Sequence, residues 1–364
     1  MQRSTPKLRW RRALTYAFGL IFGVGCAADE LPHFGTLQYE SENFEVWASA
    51  GLVACSGTYE YTEHWLSSFR ERVGEYSGQQ PHTFYWLDAD DFSDNLCPST
   101  FGGCAHASAN IIYSTLIPTT HEIVHTELNR AFAPSLLREG AAEVFGFSQS
   151  TDRVSDLGDL FGRERIPGSA YRTAGRFSRM LIDRYGLDAY FELHDALHKT
   201  TGRDAFAVGV SDTLDVELST LEQDFEMYAS CSVDRWRFYD YECSDLPIIP
   251  WDNDGRWVQE VSLSCADQDV IGPRGDVIWT LRAFEVAELT SFRTTIASTD
   301  ETANVTVFEC NADCRESYVP QGSRSAWVNH NDGAGVIAAY DKGRYWMRIE
   351  HAANSDASVT VTLE

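Results

Sequence analysis

Residues 121–146 read HEIVHTELNRAFAPSLLREGAAEVFG and contain two motifs that bear on the whole chain. The stretch opens with the pattern His-Glu-x-x-His. On a helix, His121 and His125 lie one turn apart on the same face, so both imidazoles can bind one metal ion. Glu122 lies beside them, where it can take a proton from zinc-activated water. The pattern therefore predicts a zinc site on a helix, with Glu122 as the general base.

The same stretch closes with an acidic pattern, EGAAE, at residues 139–143. A catalytic zinc ion usually takes three protein ligands and leaves a fourth position open for water. The two histidines supply two of these ligands, so a third has to come from elsewhere in the chain. Glu139 is our candidate, because an acid-bearing helix follows the histidine helix closely.

The two motifs together resemble those of the gluzincin zinc metallopeptidases, and most of all the bacterial peptidase MA-like families. Those families pair HExxH with a downstream Glu-Gly-x-Ala-Glu helix, and EGAAE at residues 139–143 matches that helix. Further along, AGRFSRMLIDRYG at residues 174–186 resembles the helix that follows the site in these families. The resemblance covers roughly residues 43–228 and leaves out the C-terminal part of the chain.

The resemblance implies a set of residue roles and one catalytic Zn²⁺ ion. His121 and His125 match the two histidine ligands, and Glu139 matches the glutamate ligand. Glu143 lies one helical turn further on, where the family often has an acid that hydrogen-bonds a ligand histidine. The reverse assignment, with Glu143 as the ligand and Glu139 as its support, stays open. A metzincin site is disfavoured, because Leu128 and Ala131 stand where that class needs Gly and His.

The function implied by this resemblance is hydrolysis of peptide bonds by a zinc-dependent endopeptidase acting on a peptide or protein substrate. A hydrogen-bond donor must then stabilise the developing oxyanion, and Tyr171 and His106 are the candidates. A different class of function is the alternative: a catalytically lapsed cell-surface binding protein that uses its C-terminal domain. The intact set of His121, Glu122 and His125 favours the enzyme, because a lapsed enzyme need not keep its base.

Hydrophobic periodicity predicts an α+β arrangement for residues 42–247, with a small N-terminal sheet followed by helices. Alternating or aromatic-rich runs at 43–48, 82–87 and 109–114 predict three strands. The strand at 109–114 is a candidate sheet edge for pairing with an extended substrate. Helices are predicted at 57–74, around both motifs, at 172–185, at 187–198 and at 213–228.

Residues 248–364 have a different character, with short alternating runs separated by turns and no helical period. Runs such as VIWTLRAFEV and SVTVTLE recur at the spacing typical of an all-β sandwich. We therefore predict that a β-sandwich accessory domain follows the zinc metallopeptidase-like catalytic domain.

The N-terminus predicts export of the chain. Residues 1–25 combine a basic start with a short apolar run, which is typical of a signal peptide and too short to span a membrane. Cys26 follows directly and resembles the lipidated cysteine of bacterial lipoproteins, with residues 26–41 as a tether. We therefore expect a cell-envelope protein held at the membrane through a lipid on Cys26; secretion is the alternative.

Charge and cysteine content agree with an exported protein. The formal net charge is −25, which disfavours nucleic acid as a partner because no basic surface is available for phosphate contacts. Without Cys26, eight of the nine cysteines remain, enough for four disulfide bonds. We expect Cys97 to bond Cys104. We also expect Cys310 to bond Cys314, whereas spacing cannot assign the partners of the other four: Cys55, Cys231, Cys243 and Cys265.

Overall fold

A computed structural model describes the chain from residue 34 onward, with short gaps. The described residues are 34–92, 96–97, 102–129, 133–146, 156–197, 202–228, 236–310, 326–329 and 335–364. Residues Phe34–Glu364 form one compact unit. The predicted signal peptide and Cys26 lie outside the described residues.

The N-terminal part contains a mixed five-stranded sheet with the strand order β1-β2-β3-β5-β4. Its strands are β1 (Thr36–Glu40), β2 (Phe44–Ala48), β3 (His82–Trp86), β4 (Gly103–His106) and β5 (Ile111–Ser114). The three central strands are parallel, and each outer strand pairs antiparallel with its neighbour.

The three strands predicted at 43–48, 82–87 and 109–114 are confirmed as β2, β3 and β5. Two further strands were not predicted. β1 consists of five residues within the segment 26–41, which we expected to be a tether. β4 lies in a segment without alternation of apolar and polar residues. The expectation that 109–114 is a sheet edge is wrong, because β4 pairs with the outer side of β5 and forms the edge itself.

The described residues contain seven α-helices, the first between β2 and β3 and the others after β5. They are α1 (Thr58–Val73), α2 (Thr120–Leu128), α3 (Ser135–Phe145), α4 (Tyr171–Ala196), α5 (Arg203–Leu214), α6 (Leu218–Met227) and α7 (Asp240–Ser244). Within α4, Gly186 has φ 87° and separates two helical segments. This agrees with the separate helices predicted at 172–185 and 187–198. The prediction of a single helix at 213–228 is wrong at its start. Asp215 adopts a left-handed conformation and ends α5, and α6 begins at Leu218.

An apolar core joins the sheet to the helices. The face of α1 that carries Trp65, Leu66 and Phe69 is buried, and it belongs to the same hydrophobic cluster as the inner residues of β2 and β3. Ile123 and Val124 of α2 belong to this cluster as well. Burial of apolar side chains at this helical spacing therefore holds the histidine helix in place.

The C-terminal part consists of two antiparallel sheets, with the orders β11-β10-β13-β8-β7 and β12-β9-β14-β6. A separate hydrophobic cluster contains inward-facing residues of both sheets, among them Trp257, Phe284 and Tyr340. The arrangement is sandwich-like, as predicted. Its strands are β6 (Trp257–Leu263), β7 (Ile271–Arg274), β8 (Val277–Val286), β9 (Thr290–Ser298), β10 (Asn304–Glu309), β11 (Ala326–Asn329), β12 (Val336–Tyr340), β13 (Gly343–Ala352) and β14 (Ala357–Leu363).

Three disulfide bonds join cysteines of the described residues. The predicted Cys97–Cys104 bond is confirmed. The predicted Cys310–Cys314 bond is wrong, because Cys310 bonds Cys243, with their Cα atoms 5.4 Å apart. Both cysteines pack against one apolar cluster, which brings α7 to the end of β10. The third bond joins Cys55 to Cys265, whereas Cys231 and Cys314 lie outside the described residues.

Among the described residues, no helix combines the length and the apolar composition that crossing a lipid bilayer requires.

Candidate metal centre

The α2 helix presents both histidines of the first motif to the same site. The rings of His121 and His125 are nearly perpendicular, with centroids 4.9 Å apart. His121 is buried, and His125 is slightly more accessible. The helix ends at Asn129, which adopts a left-handed conformation with φ 45°. The two imidazoles are therefore neighbours on one face of this short helix, as their four-residue spacing predicts.

The α3 helix brings Glu139 to both imidazoles. Its Oε2 atom lies 3.4 Å from Nε2 of His121 and 3.2 Å from Nε2 of His125. The three ligand atoms all lie within 4.8 Å of one another, so the group could hold a metal ion. Ligand atoms bound at about 2.0–2.1 Å to a tetrahedral ion stand roughly 3.3 Å apart, which matches the two distances from Glu139 to the histidines.

Small residues let α3 approach α4 closely enough to place Glu139. A Cβ atom on Gly140 would lie 2.1 Å from Oγ of Ser178 and 2.6 Å from the carbonyl oxygen of Ala174. A Cβ atom on Gly175 of α4 would lie 2.9 Å from Cβ of Glu143 in α3. The glycine inside the EGAAE motif is thus a packing requirement between two helices.

Glu143 lies on the far side of His121 from the metal-binding group. Its Oε1 atom is 3.3 Å from Nδ1 of His121, a close electrostatic contact. Its Oε2 atom accepts a hydrogen bond of 2.8 Å from Arg237, and Nε of Arg237 donates to the Glu143 carbonyl oxygen. This geometry favours Glu139 as the ligand and Glu143 as the group that orients His121.

Sequence reasoning missed Arg237. It stands 94 residues beyond Glu143, outside both motifs, and no spacing rule links the two positions. Both partners are almost fully buried, so each neutralises a charge that would otherwise be costly to bury.

The histidines and carboxylates of the metal-binding group shift one another's pKa values. Burial alone would lower the pKa of His121, but the carboxylates of Glu139 and Glu143 raise it to about 10. Burial would raise the pKa of Glu139, but the adjacent histidines hold it well below its ordinary value. The group therefore holds a proton on His121 in the metal-free protein, and a bound cation would take the place of that proton.

Glu127 anchors α2 to the sheet from the side opposite the metal-binding group. Its fully buried carboxylate accepts hydrogen bonds from Arg70 of α1 at 2.6 Å and contacts Nε2 of His82 in β3 at 2.7 Å. A third hydrogen bond comes from the Ser77 hydroxyl. Although burial alone would raise the pKa of Glu127, these partners lower it to about 2. The network fixes the helix that carries both histidines.

Glu122 and Tyr171 complete the surroundings of the site. A Cβ atom on Gly103 would lie 3.2 Å from Oε1 of Glu122, so this carboxylate lies against the edge strand β4. The Tyr171 ring stacks on His121, with centroids 5.5 Å apart. Burial, followed by the negative charges of Glu139 and Glu122, holds the pKa of Tyr171 far above its ordinary value.

His106, the other candidate oxyanion donor, makes different contacts. Its Nε2 atom lies 3.3 Å from the carbonyl oxygen of Leu96, and its ring packs edge-on against Tyr113. Of the two candidates, Tyr171 is the one that contacts a residue of the metal-binding group.

Comparison with known proteins found no matching family and weak structural similarities. No family model matches the chain, and no curated protein matches it. Among solved structures, the pre-peptidase C-terminal domain of a Bacillus anthracis collagenase is similar at 12% identity and a TM-score of 0.21, covering 30% of this chain and 89% of that one. The Salmonella Typhimurium periplasmic inhibitor of g-type lysozyme, PliG, is similar at 13% identity and a TM-score of 0.19, covering 32% and 96%. Similarities this low support no functional inference.

Proposed function

We propose that the chain is a zinc-dependent endopeptidase of the gluzincin type, acting on a peptide or protein substrate. The observation that carries this proposal is the convergence of three ligand atoms, Nε2 of His121, Nε2 of His125 and Oε2 of Glu139. Glu122, the residue next to the first ligand, supplies a carboxylate at the same end of α2. This combination of ligands and base is what metal-assisted hydrolysis needs.

The ligand set suits zinc in particular. Two imidazole nitrogens and one carboxylate oxygen are common zinc donors, and a tetrahedral zinc ion with three protein ligands has a fourth position for exchangeable water. When bound, zinc would polarise the substrate carbonyl and lower the pKa of water at the site to about 7.

Glu122 would be the general base. Its carboxylate is partly exposed and lies against β4, so both a water molecule and a substrate can reach it. It would accept a proton from the attacking water and later donate that proton to the leaving amine.

Tyr171 would stabilise the oxyanion. Its phenol is protonated at neutral pH and already forms a hydrogen bond with Glu139, so a hydrogen-bond donor lies at the metal-binding group. Its stacking on His121 holds the ring at the metal-binding group before substrate arrives, which reduces the reorganisation needed during reaction.

The edge strand β4 is where an extended substrate would pair. Within the described residues, β4 has one sheet neighbour, β5, so its other side can form main-chain hydrogen bonds with a peptide. The contact between Gly103 and Glu122 places this strand beside the base. A substrate paired there would pass the metal-binding group.

The cellular setting belongs to the same proposal. A signal peptide at 1–25 and a lipid on Cys26 would place the enzyme at the bacterial cell envelope. The disulfide bonds support an oxidising compartment.

The test is cleavage of a peptide library by the zinc-loaded full chain and by Glu122→Gln. We expect the substitution to lower the cleavage rate by about 10²–10⁴-fold, because proton transfer by the base is lost. Zinc content, measured by mass spectrometry, should stay at one ion per chain. Glu71→Gln, at an exposed position on α1, is the matched control and should cleave normally.

Two results would contradict the proposal. Unchanged cleavage by Glu122→Gln would remove the assigned mechanism. If the zinc-loaded wild-type chain cleaves nothing in the library, a binding function becomes the better interpretation.

A further inference from the structure

A cavity of about 260 Å³ lies between the helices of the N-terminal part and the β7–β8–β13–β10 face of the sandwich. We call it the junction cavity. It is partly open to solvent and reaches Thr120 at the start of α2. Large side chains form most of its wall, including Trp65, Phe145, Phe238, Trp279 and Phe308.

The helix side of the junction cavity carries a buried carboxyl group, that of Glu242 in α7. Only 5% of this residue is exposed. Its Oε1 atom accepts a hydrogen bond of 2.9 Å from the Tyr61 hydroxyl. Its Oε2 atom has no hydrogen-bond partner among the described residues. Burial raises the pKa of Glu242 to about 7, so a cationic partner would be well placed here.

The sheet side of the junction cavity carries hydrogen-bond donors and positive charge. Nε1 of Trp346 is buried and also has no partner among the described residues. Arg274 and Arg348 line the same wall. Arg348 is paired with Glu350 at 2.8 Å. Burial, then the charges of Arg237 and Arg348, lower the pKa of Arg274 to about 9.

We propose that the junction cavity binds an amino acid with a large apolar side chain. Its ammonium group would donate to Oε2 of Glu242. Its carboxylate would accept from Nε1 of Trp346 on the sheet side, and its side chain would lie among the aromatic rings. This site is separate from the metal centre, and the proposal holds whether or not the chain is a peptidase.

Size and charge both favour this class of ligand. The cavity volume corresponds to about eight or nine water molecules at roughly 30 Å³ each, slightly below the range of drug-sized pockets. An uncharged ligand such as a sugar would bury Glu242 without a counter-charge, which is costly. A zwitterion supplies an opposite charge to each wall.

The test is calorimetric titration of the full chain with L-phenylalanine. Two analogues serve as ligand controls: phenethylamine lacks the carboxylate, and 3-phenylpropionate lacks the ammonium group. We expect L-phenylalanine to bind at least about tenfold more tightly than either analogue, because each lost charge leaves a buried group unpaired. Glu242→Gln should weaken binding of L-phenylalanine by about tenfold or more.

Matched variants distinguish a bound ligand from a change in folding. Trp346→Phe keeps an aromatic six-membered ring and removes the N–H donor together with the five-membered ring of the indole, so it should also weaken binding; this test remains available if Glu242→Gln folds poorly. Glu260→Gln, exposed on β6, should bind as the wild type does. The proposal is overturned if no titration shows binding, which would indicate a cavity filled by water only. It is also overturned if both cavity variants bind normally, or if the analogues bind as tightly as L-phenylalanine.

Discussion

The metal-binding group depends on a single oxygen atom, Oε2 of Glu139, which lies within 3.4 Å of both histidines. Arg138 lies 3.3 Å from the other oxygen of the same carboxylate and neutralises part of its charge. Glu143 contacts His121 at the other ring nitrogen, Nδ1, and is paired with Arg237. The two glutamates of the EGAAE motif thus have different partners, and their substitutions should have different effects.

Zinc affinity should separate these two roles. We expect Glu139→Gln to raise the zinc dissociation constant by more than about 100-fold, because a direct ligand is weakened. Glu143→Gln should raise it by roughly 10–100-fold, because it removes only the support of His121. Competition with a chromophoric chelator measures both constants. A larger effect from Glu143→Gln would mean that the two assignments are reversed.

The buried carboxylate of Glu127 should make stability depend on pH in a defined direction. Its pKa is lowered from 4.5 to about 2 in the folded chain, so its contribution is complete above pH 4.5 and is lost as the pH falls toward 2. A depression of this size corresponds to about 3 kcal/mol of unfolding free energy.

Denaturant unfolding of the wild type and Glu127→Gln between pH 7 and pH 3 measures this contribution. The wild type should be more stable at pH 7, and the difference should shrink as the pH falls. A difference that stays constant across this range would show that Glu127 stabilises the fold without its charge.

At the level of elements, the position of α3 depends on its close packing against α4. Gly140→Ala would place a methyl group 2.1 Å from Oγ of Ser178 and 2.6 Å from the backbone carbonyl oxygen of Ala174, so one of the two helices must shift. We expect a loss of about 1–3 kcal/mol in stability, the usual cost of overpacking a core, together with weaker zinc binding. Gly343→Ala is the control, because no atom lies within 4 Å of its added Cβ. Thermal unfolding and zinc titration of both variants test this; equal behaviour would contradict it.

Sequence periodicity predicted the elements that bury a regular apolar face. The alternation in β2 and the spacing of Trp65 and Phe69 in α1 are local signals, so they were sufficient. β4 carries Gly103 and a disulfide cysteine in four residues, too few for a period, and its strand character comes from pairing with β5. Arg237 and the Cys243–Cys310 bond depend on contacts across long stretches of chain, which spacing does not report.

At the scale of the whole molecule, two disulfide bonds tie the N-terminal part to the sandwich. Cys55 precedes α1 and bonds Cys265, which follows β6. Cys243 of α7 bonds Cys310 at the end of β10. Both bonds lie at the junction between the two parts, where a shared apolar cluster also contains residues from each. The junction is thus held by covalent bonds and by packing.

Removing the Cys243–Cys310 bond should therefore destabilise the molecule substantially. The bond closes a loop of 67 residues, so we expect Cys243→Ser with Cys310→Ser to cost about 2–4 kcal/mol. The matched control is the Cys97→Ser and Cys104→Ser pair, which opens a span of only seven residues and should cost less. Calorimetric unfolding compares them, and equal losses would show that the Cys243–Cys310 bond does not constrain the junction.

Anomalous X-ray diffraction at the zinc absorption edge, from crystals of the zinc-loaded chain, tests the metal centre most directly. We predict a peak about 2.0–2.2 Å from Nε2 of His121, Nε2 of His125 and a carboxylate oxygen of Glu139. A zinc peak bonded to Glu143 instead, or no peak beside α2, would contradict the assignment.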